Sequence, residues 1–302
     1  YEIHERLVGS EMCIRDRDKN VRNLNKIPGI NALAQLEEGK NFGETNVKVT
    51  AINTETLFGN TLVDNNGSRS SGYNKITNTL NFDGLFNAGE RITFTNVLSG
   101  DHHIENNQEE SNYYAASSQF PIGYDGMLAT FRISKMEYKL SAPFDSTKTS
   151  GYSSEYNLTL NQPLIESPNF NLNTSLSLAN NKYVNDLGTG NNSDKDTLKS
   201  ILNIGFDSRD DKLGGGINYG SFGLTLAKVD LTDNPSNFTT DQAGADSNGR
   251  NFKGTLNLNR LQKLTEKTKS LARTRTNLSG NSTYTNPPQR IKNIKHYDVL
   301  LN

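Results

Sequence analysis

Between residues 64 and 101 the chain places apolar side chains on every second position. Ile76, Leu80 and Phe82 share one parity and Tyr73, Lys75, Thr77, Thr79 and Asn81 the other, so an extended chain here presents one apolar and one polar face. Asn78 breaks the apolar row once. Ile92, Phe94 and Leu98 repeat the pattern against Arg91, Thr93 and Thr95, and the intervening run DGLFNAG, residues 83–89, has turn composition. Further along, Tyr152, Tyr156, Leu158 and Leu160 alternate with Ser153, Glu155, Asn157, Thr159 and Asn161. Phe170, Leu172, Leu176 and Leu178 alternate with Asn171, Asn173, Ser175 and Ser177. The period slips between Tyr219 and Phe222, where Gly220 and Gly223 are suited to host a bulge.

From about Thr54 onward the same rules give about eleven strands, and their connections alternate in length. Short turns are expected near residues 83–89, 121–126, 162–169 and 209–214. Longer loops are expected at 99–111, 141–150, 180–197 and 231–250. Short on one rim and long on the other is the order of a transmembrane β-barrel, in which only every second strand residue meets lipid. Leu158, Leu160, Leu172, Leu176 and Leu178 should then form one outward belt while Asn157, Asn171 and Asn173 line a hydrated lumen. Lys75, Arg91, Arg132, Lys199 and Lys253 have lumen-facing parity and are the candidates for setting the channel's charge.

Ahead of the strands, Val21, Leu24 and Ile27 lie at helical spacing and are closed by Pro28-Gly29. Two short strands should follow, around residues 31–36 and 45–52. This is too little for an independent core and has the form of the end of a small α+β domain.

Composition removes several classes. Hydrophobic residues make up 33% of the 302 residues and the mean hydropathy is -0.69. No apolar run approaches the roughly 18 residues of a transmembrane helix. A net charge of -1 without a basic patch gives no nucleic-acid surface. The single cysteine, Cys13, excludes a disulfide framework.

Chemical motifs are few. His102, His103 and Glu105 lie in an expected outer loop, and adjacent histidines diverge on an extended chain, so a metal site is not expected. Gly214 to Gly216 lacks the Lys and Ser/Thr of a phosphate loop. Asp207, Arg209, Asp210 and Asp211 read as a solvated turn, and the Asp-bearing stretch 230–246 lacks calcium-ligand spacing. With no nucleophile, base and orienter to assemble, neither enzymatic activity nor a cofactor is expected.

Four segments carry a resemblance: LNKIPGI (24–30), DNNGSRSSG (64–72), LNFDGLFNAGERITF (80–94) and NFKGTLNLNRLQKL (251–264). In this order and spacing the chain resembles, from about Asn20 to Gly280, the two-partner-secretion transporters (TpsB, the haemolysin-activator or ShlB-like group), which are Omp85-related outer-membrane proteins. The resemblance implies a mostly β fold. An antiparallel meander forms part of a transmembrane β-barrel of about sixteen strands, preceded by the C-terminal part of a POTRA domain. Residues 18–53 would be that POTRA part, with the recognition edge near 31–52, and 54–280 the first eleven or so strands.

The implied function is translocation of a large unfolded exoprotein to the cell surface. The implied partners are that exoprotein, outer-membrane lipid and the barrel-assembly machinery, with the POTRA part in the periplasm. The family's Arg-Gly-Tyr/Phe motif is absent, so the chain is expected to be an incomplete fragment. Residues 1–17, YEIHERLVGSEMCIRDR, resemble translated sequencing-adaptor sequence and are set aside, and 281–302 lose the alternation and are expected to lie outside the barrel. A general porin or barrel-assembly factor would share the strands. A secreted Asn-rich β-helix adhesin is the remaining alternative and would show a fixed repeat, which these unequal segments do not.

Overall fold

The computed structural model describes residues 21–38, 45–68, 70–100, 109–140, 148–188, 192–263, 269–282 and 292–301. The N-terminal stretch 1–17 with Cys13, and the His102, His103 and Glu105 cluster, lie outside them.

Residues 21–24 form a helical turn that tightens at its end, with the Lys26 and Ile27 amides donating to the Asn23 and Leu24 carbonyls. Pro28 cannot continue the ladder and Gly29 adopts φ +79°, which sends the chain into β1 (Ile30–Glu38). β1 pairs antiparallel with β2 (Thr45–Asn53) from Ile30 opposite Asn53 to Glu38 opposite Thr45. The hairpin is closed at its base by the Thr54 amide donating to the Gly29 carbonyl at 2.9 Å.

The rest is one sheet of twelve strands in sequence order. They are β3 (Leu57–Asp64), β4 (Asn74–Asp83), β5 (Arg91–Gly100), β6 (Glu109–Ile122), β7 (Met127–Lys139), β8 (Ser150–Glu166), β9 (Phe170–Asp186), β10 (Ser193–Asp210), β11 (Gly216–Asp230), β12 (Gly249–Lys263), β13 (Lys269–Ser282) and β14 (Lys292–Leu301). The connections alternate short and long as expected, the first short one being 84–90. The turn between β10 and β11 is a 3-10 turn, Lys212–Gly214.

The register puts the alternating side chains on two continuous faces. Leu158 stands opposite Leu178 and Leu160 opposite Leu176. Across β10 the same face continues with Leu202 and Phe206. On the other face Asn157 donates to Ser177 Oγ at 3.0 Å, Asn171 to Asp207 at 3.0 Å and Asn257 to Ser221 Oγ at 3.2 Å.

Among the described residues only Ala32, Ala179 and Leu231 are buried hydrophobics, whereas Leu158, Leu176 and Leu178 are each more than 40% exposed. A single sheet with no layer over its apolar face does not bury a core in water; the ladder hydrogen bonds close internally and the face needs an apolar solvent.

Four expectations change. β9 and β10 run far into the anticipated loop 180–197. There polar residues stand at both parities, so alternation stops marking the strand while ladder pairing continues, as Val184 opposite Asp194 shows. The slip at Tyr219 is not a bulge, because the register across β11 is unbroken on both sides. Tyr219 sits on the polar face, opposite Asp207, and Gly220 is needed because a Cβ there would lie 2.6 Å from the Asn257 carbonyl oxygen. Bulges occur instead at Ser99/Gly100 and Pro163/Ile165. Residues 292–301, expected outside the barrel, form β14 along the otherwise open edge of β13, which offers a row of unpaired backbone groups. The loop after β11 contains a helix, α1 (Pro235–Ala243).

Candidate functional site

Two regions of the sheet carry chemistry: the short-turn rim, where the N-terminal segment is seated, and the polar face. At the rim, one helical turn touches three separate turns. Asn23, nearly buried, donates to the Tyr124 carbonyl at 3.0 Å in the β6–β7 turn. Lys26 reaches Glu166 at the end of β8, Nζ to Oε1 2.5 Å, and donates to Asn23 Oδ1 at 3.3 Å. Ile27 packs over Gly89 in the β4–β5 turn, where a Cβ would come within 2.6 Å of it. Asn23, Lys26 and Ile27 line, with Pro121 and Tyr124, a cavity of about 370 Å³.

Because Pro28 and Gly29 follow directly, this seat fixes the base of the β1–β2 hairpin against the rim. Asn25 bonds both backbone groups of Ala32, donating to its carbonyl at 3.0 Å and accepting from its amide at 2.6 Å. It thereby occupies the outer edge of β1 at Ala32. The far edge of β2 pairs with no strand among the described residues.

The β4–β5 turn is held by buried ions. Glu90 is fully buried and accepts from the Phe86 amide at 2.5 Å and the Ala88 amide at 2.9 Å. The Phe86 amide foremost, then its own amide and that of Ala88, hold its carboxyl below the usual range, against the opposing effect of burial. Asp83, 2% exposed, takes both arms of the Arg91 guanidinium at 2.6 and 2.7 Å. Arg91 also lies 5.3 Å over the Phe58 ring.

The register places all five sequence candidates on the polar face. Lys75 stands opposite Asp64 and Ser99. Arg132 and Lys199 belong to one row, linked through Asn157 and Ala179. Arg91 and Lys253 belong to the neighbouring row, which passes through Gln119, Thr159, Ser177 and Thr225. Arg132 bonds the Tyr113 hydroxyl and lies 6.0 Å from that ring. Lys199 and Lys195 flank the Tyr183 ring at 5.9 and 5.4 Å. Arg91 is thus bound into the turn by Asp83, whereas Arg132 and Lys199 rest on aromatic rings and keep charge at the surface.

Sequence reasoning missed the Lys26–Glu166 pair, the Asn25 edge cap and the Arg260–Asp210 pair at 2.7 Å. The partners of the two ion pairs are distant along the chain and leave no local pattern. The helix α1 did leave one: Asn234 before Pro235 is a cap followed by a favoured first residue, and its side chain accepts from the Ser236 and Asn237 amides. Asp241 on α1 accepts from Ser247 and Asn248, closing the loop back on itself.

A consecutive antiparallel sheet with an exposed apolar face, a hydrogen-bonded polar face and rims of unequal loop length is a section of a transmembrane β-barrel wall. A family model described as haemolysin secretion/activation protein ShlB/FhaC/HecB matches residues 43–223, and the chain belongs to that family.

Heme/hemopexin transporter protein HuxB of Haemophilus influenzae strain 86-028NP is 25% identical over 223 residues, covering 73% of this chain and 38% of that protein. HuxB of strain ATCC 51907 / DSM 11121 / KW20 / Rd is 26% identical over 171 residues, 56% of this chain and 29% of that protein. Among solved structures, CdiB from Escherichia coli matches with TM-score 0.68 at 16% identity, covering 88% of this chain and 48% of that one. CdiB from Acinetobacter baumannii matches with TM-score 0.52 at 13% identity, covering 85% and 45%. At these identities the structures show the fold. The chain spans less than half the length of each of these relatives.

Proposed function

We propose that the chain is the pore-mouth segment and first barrel strands of an outer-membrane transporter of a two-partner secretion system, which passes a large unfolded exoprotein to the cell surface. The observation that carries this reading is the β1–β2 hairpin seated by Asn23, Lys26 and Ile27 on the short-turn rim of a one-layer sheet. Residues 18–53 are assigned to the end of a periplasmic POTRA domain and 54–280 to the first eleven strands. The edge of β2 that pairs with no strand among the described residues is the surface for strand addition by an extended partner, since Asn25 already occupies the edge of β1 at Ala32. The polar face, with Lys75, Arg91, Arg132, Lys199 and Lys253, lines the conduit, and no nucleic-acid partner or cofactor enters the scheme. Outer-membrane lipid covers the apolar face, and the barrel-assembly machinery inserts the strands.

Deletion of the full-length gene, followed by assay of culture supernatant for a large exoprotein encoded beside it, tests the proposal. Loss of that exoprotein from the supernatant, restored by the wild-type gene, is expected. Undiminished secretion in the deletion strain overturns it, and would favour a general porin or assembly role for the same barrel.

A further inference from the structure

On the apolar face two neighbouring register rows differ in character. One runs from Leu80 through Phe94, Ala116 and Ile133 to Tyr156; the next runs from Asn78 and Asn96 through Tyr114, whose ring carries a hydroxyl, to Lys135. A groove of about 800 Å³ lies between them across β3 to β8. Six strands at the usual spacing make it roughly 24 Å long. Ala116, set between Phe94 and Ile133, forms the notch in its apolar wall.

The polar wall starts where it is least expected. Asn78 and Asn96 are direct register partners, and each has apolar residues two positions to either side on the same face: Ile76 and Leu80 for Asn78, Phe94 and Leu98 for Asn96. Thr61 donates to Asn78 Oδ1 at 2.8 Å, and Asn96 donates to the Tyr113 carbonyl at 3.3 Å. The amide N–H groups of Asn78 and the Oδ1 of Asn96 are left without a partner among the described residues. Unsatisfied polar groups in a bilayer are costly unless a ligand completes them.

The polar wall keeps one level along the strands: Asn78, Asn96 and Lys135 each lie four residues from the long-loop ends of β4, β5 and β7. The groove therefore runs along the outer part of the apolar belt, within reach of the outer headgroups. Lys135 pairs with Glu137 at 2.5 Å and stands 5.7 Å from the Tyr152 ring, which leaves two of its three N–H donors available.

We infer that this groove binds an outer-leaflet glycolipid whose acyl chains are amide-linked and whose head carries phosphate. An acyl chain lies along the apolar wall, an amide or hydroxyl near the head meets the Asn pair, and a phosphate meets Lys135. A donor and an acceptor side by side call for an amide or a hydroxyl, and the acyl esters of a glycerophospholipid offer no donor to Asn96. The inference rests on the membrane placement proposed above.

The test uses the full-length protein in nanodiscs, with purified lipid A competing against phosphatidylethanolamine and retained lipid read by native mass spectrometry. Wild-type protein should keep one lipid A in at least tenfold preference. Ala116→Trp, which fills the notch, and Asn78→Val/Asn96→Val should each abolish the preference while the barrel stays heat-modifiable. Equal retention of the two lipids by the wild type, which needs no variant to fold, overturns the inference, as does a preference that survives both substitutions. Failure of the full-length protein to form a barrel at all would instead remove the membrane reading itself.

Discussion

The ammonium of Lys26 lies 2.5 Å from Oε1 of Glu166, joining the helical turn before β1 to the end of β8 across 140 residues of chain. Both side chains are largely covered, and the other Glu166 oxygen is buried with no hydrogen bond. Removing either charge leaves the other uncompensated, at a cost between that of an exposed pair and a buried one, about 1–2 kcal/mol. Lys26→Glu and Glu166→Lys should each raise protease cleavage at residues 21–30 of the full-length protein, and the double exchange should restore protection. Equal cleavage in all four forms would show that the pair does not seat the hairpin.

A buried carboxylate organises the β4–β5 turn, which gives a pH dependence with a definite sign. The Glu90 carboxyl is held below its usual range, so its contribution is complete above the unfolded value of about 4.3 and is lost as pH falls through the lower folded value. Exchange at the Phe86 and Ala88 amides, corrected for intrinsic rates, should stay slow at neutral pH and accelerate only in acid. Glu90→Gln should make it fast at pH 7.

The two faces predict opposite mutational tolerance. Leu176→Arg or Leu178→Arg places a charge in the apolar belt and should destabilise the full-length barrel by about 2–4 kcal/mol in urea unfolding from lipid vesicles. Asn173→Arg, on the other face of the same strand, should cost little. Similar losses at both positions would contradict the assignment of faces.

How far these features were legible in the sequence follows from where the signal is local. Leu158 and Leu160, or Leu176 and Leu178, announce their face because lipid on one side and water on the other imprint a period of two. Beyond Asn180 and before Thr197 polar residues occupy both parities, so the strands continue unmarked. The five cations were placed on one face by parity alone, yet nothing in the sequence separated Arg91, tied to Asp83, from Lys199, resting beside Tyr183. Seating of the hairpin was illegible for another reason: Lys26 and Glu166 meet only after β3 to β8 have paired.

Charge on the polar face should set ion preference. Arg132→Gln/Lys199→Gln removes two cations from one register row and should shift the reversal potential of the full-length channel toward cation selectivity in a potassium chloride gradient. Folded yield should be unchanged, since neither residue belongs to an ion pair among those described.

Which face of the sheet meets the conduit can be read from the open pore. Single cysteines introduced in a cysteine-free full-length background and treated with a membrane-impermeant thiol reagent during planar-bilayer recording measure this. Reagent should reduce conductance at Thr159→Cys and Lys199→Cys and leave it unchanged at Leu158→Cys and Leu178→Cys. Block at the leucine positions with none at Thr159 and Lys199, or no conductance from the untreated protein, would contradict the polar face as the conduit lining.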